Sequence, residues 1–214
     1  MFEFGSVHRS SEGQGQCTAI LYKLIDLLID WLCVVRRAAN CIPLLIQQNV
    51  DGSDFFNRSW AEFRVGFNNS RGNFWLGNEL LHQLTRKHPY KLRFDLQSRA
   101  NLSWYYAEYS SFVVFSEATN YTMLVSGQSG NAGDALSHCN RMMFTTYDRD
   151  NDPWTSSNTA YKNNCAIWKG GGFWYNKCAN CNVNTVRGHG GDFRWYSRQT
   201  GNLLLQSSRM WLMC

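Results

Sequence analysis

Carboxylates stand at alternate positions in Tyr147-Asp148-Arg149-Asp150-Asn151-Asp152-Pro153-Trp154-Thr155-Ser156. Calcium takes about six to eight hard oxygens at about 2.3–2.6 Å, and a short loop of Asp side chains and backbone carbonyls can supply them. The helix–loop–helix form of calcium site is excluded. Pro153 occupies the sixth position, where a glycine is obligatory, and Thr159 the twelfth, where a Glu is needed. The competing reading is a solvated acidic turn whose Asp side chains cap nearby backbone groups. Spacing alone leaves the two evenly matched.

The sulfur chemistry lies just downstream. Cys165 and Cys178 flank a stretch containing Gly170-Gly171-Gly172, which makes closure easy. A disulfide over such a loop gains on the order of 3 kcal/mol in the chain-entropy model. Cys178-Ala179-Asn180-Cys181 is also a CxxC, so half a zinc site or a redox pair is open. Zinc would need two more ligands, with His138, Cys139 and His189 at hand. A redox pair wants a helix N-terminus within an α/β unit, and none is evident. Structural disulfides are the favoured reading. The chain has eight Cys in 214 residues, many for a cytosolic protein of this size. Four glycosylation triplets, at Asn57, Asn68, Asn101 and Asn120, point the same way, to the secretory pathway.

Composition bounds the rest. Apolar residues make up 44% and charged residues 17%, so the chain can bury a core. The net charge of +5 comes from scattered groups such as Arg36-Arg37 and Arg86-Lys87-His88, with no basic stripe, so nucleic acid is not an expected partner. Residues 1–16 are polar, and residues 18–37 have the apolar spacing of an amphipathic helix. Three charges within Ala19–Val35 disfavour a membrane span, because each central charge costs about 2.5–3.5 kcal/mol on insertion scales. No signal peptide is visible.

The positioning elements follow from period. Trp60, Phe63 and Phe67 recur at helical spacing after a capping Ser59, and Leu80, Leu81 and Leu84 repeat the pattern over Asn78–Thr85. Lys91–Gln97 alternates as a half-buried strand does. Further strands are expected at Trp104–Tyr109, Ser111–Ser116 and Tyr121–Val125. Residues 127–202 read as mostly loops, and long ordered loops are uncommon unless functional or held by metal or disulfide. The sum is an α+β arrangement: a twisted antiparallel sheet with flanking helices, followed by a loop-rich region.

Several motifs in this order resemble the fibrinogen C-terminal domain family, from about residue 45 to 213. They are Asp51-Gly52-Ser53 before Trp60, Asn73-Phe74-Trp75-Leu76-Gly77-Asn78, Tyr106-Ala107-Glu108-Tyr109, and Ser126 through Leu136. Then come Phe144 through Asp152, Asn164-Cys165-Ala166, Phe173 through Cys178, and Trp195-Tyr196-Ser197. The resemblance implies a domain over 45–214, truncated at its start relative to the family, with 1–44 as a divergent segment. It implies calcium held by the Asp150 and Asp152 side chains and by the Trp154 and Ser156 carbonyls. It implies a Cys165–Cys178 disulfide and a cis Lys177–Cys178 peptide shaping a ligand pocket. Trp168, Lys169, Trp174, Lys177, Cys178, Ala179, His189 and Trp195 are the expected pocket residues. Ala179 stands where acetyl-binding members carry His, and Lys169 where they carry an aromatic. Cys139 and Cys181 are extra to the pattern and are expected to bond to each other.

The implied function is a secreted, calcium-dependent recognition module, not an enzyme, that binds glycan or acetylated ligands. Binding to a protein receptor without sugar is the alternative. A homo-oligomer is allowed, and neither nucleic acid nor a transmembrane span is expected.

Overall fold

The computed structural model describes residues 42–155, 159–178, 180–188 and 192–214. The amphipathic helix expected over 18–37 lies outside them. Residues 43–214 form one compact unit.

An antiparallel sheet is its frame. Strands β1 (Leu44–Asn49), β2 (Phe67–Asn68), β3 (Phe74–Trp75), β4 (Tyr90–Ser98), β5 (Trp104–Val114), β6 (Met123–Ser129) and β11 (Gly201–Met213) run in the order β2-β3-β1-β11-β4-β5-β6. Strand β4 reads as the alternation predicts, with Leu92, Phe94 and Leu96 fully buried. The two strands expected at 104–109 and 111–116 are one. Strand β5 runs unbroken because its first half pairs with β4 while its second half pairs with β6.

Strand β11 lies almost wholly beyond residue 202, where the sequence reading places no element, yet it is central: it pairs with β1, β4 and, through its start, β10 (Arg194–Ser197). Its inward face carries polar residues, which hides the period. Ser208 is fully buried beside Gln47. Gln47 Nε2 donates to Asn184 Oδ1 at 3.0 Å and to Ser208 Oγ at 3.2 Å. A buried polar group is tolerated when it is paired in this way.

Helix α1 (Trp60–Val65) starts at Ser59 in a reciprocal capping box. The Ser59 hydroxyl accepts from the Glu62 N–H, and the Glu62 carboxylate accepts from the Ser59 N–H at 2.9 Å. Helix α2 (Asn78–Lys87) packs on β5. There Thr85 Oγ1 donates to Leu81 O and accepts the Val114 N–H at 3.0 Å. Phe63, Trp75, Phe144 and Trp174 pack edge-on or tilted, 5.0–6.1 Å apart, in the core between helices and sheet.

Between Ser129 and β11 regular structure thins to strands β7 (Phe144–Thr145), β8 (Phe173–Trp174) and β9 (Cys181–Asn182), helix α3 (Cys165–Lys169), the four-residue β10 and short 3-10 turns. This agrees with the loop-rich reading.

Candidate functional site

The acidic loop follows β7 directly, and three side chains anchor it. Asp148 Oδ1 accepts the Trp60 N–H at 2.9 Å, tying the loop to the start of α1. Asn151 Nδ2 donates to Phe144 O at 2.7 Å. Asn164 caps α3 by accepting the Ile167 N–H, and its Nδ2 donates to Thr146 O at 3.0 Å. The loop is therefore held from helix α1, strand β7 and helix α3 at once.

Asp152 is the hinge of the arrangement. Its Oδ1 accepts the Trp154 N–H and its Oδ2 the Cys165 N–H, both at 2.9 Å. The bond to Cys165 binds the acidic loop to the disulfide. Burial pushes its carboxyl up to about 6; the two backbone N–H groups oppose this, and the Asp150 carboxylate beside it adds to the rise. Asp150 is exposed, and its carboxyl group lies within hydrogen-bond reach of that of Asp152. Each carboxylate oxygen has a second lone pair, so the N–H bonds leave Asp152 able to bind a cation. Two hard carboxylates on one tight turn, where burial and mutual repulsion disfavour the ionised form of Asp152, fit a calcium ion completed by backbone oxygens. Ser156, expected to give one such oxygen, lies outside the described residues.

Cys165 and Cys178 are disulfide-bonded, with Cα atoms 5.1 Å apart. This removes both alternatives for the CxxC: Cys178 is not a free thiolate, so it neither joins Cys181 on zinc nor pairs with it. The glycines between the two cysteines do more than ease closure. A Cβ at Gly171 would meet Asn184 O at 1.7 Å, and one at Gly172 the Phe63 ring at 2.6 Å. Close packing demands glycine there.

Four expectations are corrected. No cis peptide occurs among the described residues; instead Lys177 (φ 49°) and Cys178 (φ 65°) are consecutive left-handed residues. That turn is held by the Asn176 N–H donating to Cys178 O at 3.0 Å and by Asn176 Nδ2 donating to His138 O at 2.8 Å. Cys139 and Cys181 are buried free thiols, not a disulfide. Burial pushes the Cys139 thiol up to about 12 and the Cys181 thiol well above its ordinary value, so both are inert. Trp174 and Trp195 are fully buried and cannot wall an open pocket. Their indole N–H groups donate to Tyr121 O at 2.7 Å and to Ala132 O at 3.1 Å, as buried tryptophans require.

The remaining expected pocket residues fall into two groups. Trp168 stacks on Trp154 with ring centroids 5.2 Å apart, and the Lys169 ammonium sits 3.7 Å over the Trp168 ring. Burial, with Arg194 nearby, lowers Lys169 to about 8. Lys177 is exposed and Cys178 buried. Ala179 and His189 lie outside the described residues. Sequence reasoning missed Asn164 and Asp148 as loop anchors. Asn164, directly before a helix and its Cys, was the readable signal.

Residues 32–208 match the family described as the C-terminal globular domain of fibrinogen beta and gamma chains. The chain belongs to that family. The match opens upstream of residue 45, where the motif resemblance begins. The chain is 43% identical over 166 residues to human fibrinogen alpha chain, covering 70% of this chain and 18% of that one. It is 37% identical over 174 residues to mouse angiopoietin-related protein 7, covering 78% of this chain and 49% of the relative. The chain thus spans between about a fifth and a half of these relatives. Among solved structures, the fibrinogen-like globe domain of human ANGPTL2 superposes with a TM-score of 0.67 at 34% identity, over 79% of each chain. Lamprey fibrin D-dimer, solved with the peptide Gly-His-Arg-Pro-amide, gives a TM-score of 0.65 at 29% identity, over 79% of this chain and 60% of that one. The fibrinogen-type fold is therefore established by sequence and by shape.

Proposed function

We propose that this fibrinogen-type domain is a secreted, calcium-braced recognition module, not an enzyme, that binds glycan or acetylated ligands outside the cell. The observation that carries this reading is the pairing of Asp150 and Asp152 on a loop tied through Asp152 Oδ2 to the Cys165–Cys178 disulfide. Calcium, when bound, would supply a divalent charge that both carboxylates can share and so crosslink the loop. Asp150 and Asp152 would hold it by side chains, and the Trp154 and Ser156 carbonyls are proposed to complete the set. Asp148, Asn151 and Asn164 pre-set the loop, which lowers the ordering cost of binding.

Secretion is supported by kinship with fibrinogen alpha chain and angiopoietin-related protein 7 and by the formed disulfide. No helix among the described residues is long and apolar enough to cross a membrane. Glycan-array binding with and without chelator tests the proposal. The expected result is binding that disappears with EDTA; binding indifferent to calcium contradicts it.

A second reading, docking of a protein or peptide partner, has its own support. Burial of Trp174 and Trp195 leaves fewer open rings for sugar than the motif implied, and lamprey fibrin takes a peptide on the same fold. Capture of a defined extracellular protein with an empty glycan array would favour it.

A further inference from the structure

A cleft of about 410 Å³ is lined by Gln128, Gly133, Asp134, Asn180 and the run Tyr196–Gln199, none of them in the acidic loop. Its volume is near the lower end of small-ligand sites, which run about 300–1,000 Å³. The floor is tightly built. Ser197 Oγ donates to Ala132 O at 2.8 Å, Thr200 Oγ1 donates to the same carbonyl at 3.1 Å, and the Tyr196 N–H donates to Asn180 O at 2.9 Å. Gly133 is required: a Cβ there would meet the Ser197 hydroxyl oxygen at 2.4 Å. Asp134 is fixed because its Oδ1 accepts from the Tyr109 hydroxyl at 2.8 Å and the Ser137 N–H at 3.0 Å.

The rim is chemically unspent. Among the described residues, the side chains of Asn180, Arg198 and Gln199, the Tyr196 hydroxyl and Asp134 Oδ2 make no hydrogen bond. Tyr196 is 44% exposed, a large ring left half in water beside a polar hollow. Two amides offer donors and acceptors side by side, which suits hydroxyls, since a hydroxyl also does both. The single carboxylate and single guanidinium balance, so the rim selects no net charge. A half-exposed ring among amides matches the one apolar face of a sugar ring and its equatorial hydroxyls.

We propose that this cleft is a binding subsite for a neutral saccharide, with Tyr196 against the sugar face and Asn180, Gln199 and Asp134 Oδ2 on its hydroxyls. It goes beyond the calcium-dependent reading: it shares no residue with the calcium loop and is a second, weaker contact, which saturation transfer detects and the wash of a glycan array removes. The test is saturation-transfer NMR on the full chain with maltotriose, cellotriose and N,N′-diacetylchitobiose. Wild type, Tyr196→Ala, Gln199→Ala and Asp152→Asn are compared, with melting temperatures as the folding control. The expected result is transfer to at least one sugar that weakens at least fivefold in Tyr196→Ala and in Gln199→Ala and survives EDTA and Asp152→Asn. Transfer that is lost in Asp152→Asn or EDTA but kept in Tyr196→Ala places the sugar at the loop. That outcome overturns the cleft and leaves the calcium-dependent reading standing. Absence of transfer to all three sugars in wild type overturns the cleft as well, while calcium binding by the loop is measured separately by calorimetry.

Discussion

Asp152 carries opposing demands: it is half-buried, takes two backbone N–H bonds, and has a second carboxylate beside it. Its carboxyl is raised to about 6, above the ordinary value of 3.8. A raised carboxyl favours the folded state when protonated. That stabilisation is complete below about pH 4 and is lost as pH rises through about 6. Calcium reverses the sign by favouring the ionised form, so proton and metal compete. Calcium affinity should therefore fall about tenfold between pH 7.5 and pH 5, because about one carboxylate in ten stays ionised a unit below its pKa; calorimetry at the two pH values checks this. The glycosylation triplets also separate at this scale. Asn57, Asn68 and Asn101 are exposed. Asn120 instead accepts from Arg149 at 2.6 Å and donates to Met143 Sδ at 3.2 Å. On secretion from animal cells, glycosidase mass shifts should appear at the first three and not at Asn120. The alternate carboxylates were legible as candidates, but spacing alone left a calcium loop and a capped acidic turn evenly matched. The roles of Trp174 and Trp195 were not legible, since an aromatic in a motif serves equally as a pocket wall or as core. Trp195→Ala should cost about 3–5 kcal/mol in denaturant unfolding, the loss typical of a buried aromatic.

Elements were legible where period and burial agree. Strand β4, the capping box of α1 and helix α2 all followed from apolar spacing and a Ser-to-Glu offset of three. Ser59→Ala removes the hydroxyl that accepts the Glu62 N–H and should cost about 1 kcal/mol, read as a shift in the denaturant midpoint at constant slope. Strand β11 was illegible because Ser208 stands on the core face where the pattern calls for an apolar residue, and Ser207 is buried on the opposite face beside Gln97. Their reason lies in partners such as Gln47 and Gln97, more than a hundred residues away. Non-local hydrogen bonding of that kind leaves no trace in a local window. The glycine run after α3 is similar: it reads as slack, yet Gly171 touches the backbone of Asn184. Gly171→Ala should lower stability sharply, whereas Gly201→Ala, with open space around it, loses only what a positive φ costs a non-glycine residue.

At the scale of the molecule, a sheet built from both ends of the domain presents a loop region with little regular structure. The domain's first and last strands meet at its centre, where β1 and β11 pair. The loop region then depends on discrete links: the disulfide, the anchors Asp148, Asn151 and Asn164, and the proposed calcium ion. The most direct measurement of that dependence is calcium titration of the full chain by calorimetry at pH 7.5, beside Asp150→Asn and Asp152→Asn. The predicted result is a single site at or below about millimolar, the range of extracellular calcium modules, abolished or weakened at least tenfold in both variants, with a calcium-dependent rise in melting temperature only in wild type. A wild-type chain that takes up no calcium at millimolar concentration, or variants that bind as tightly as wild type, would contradict it.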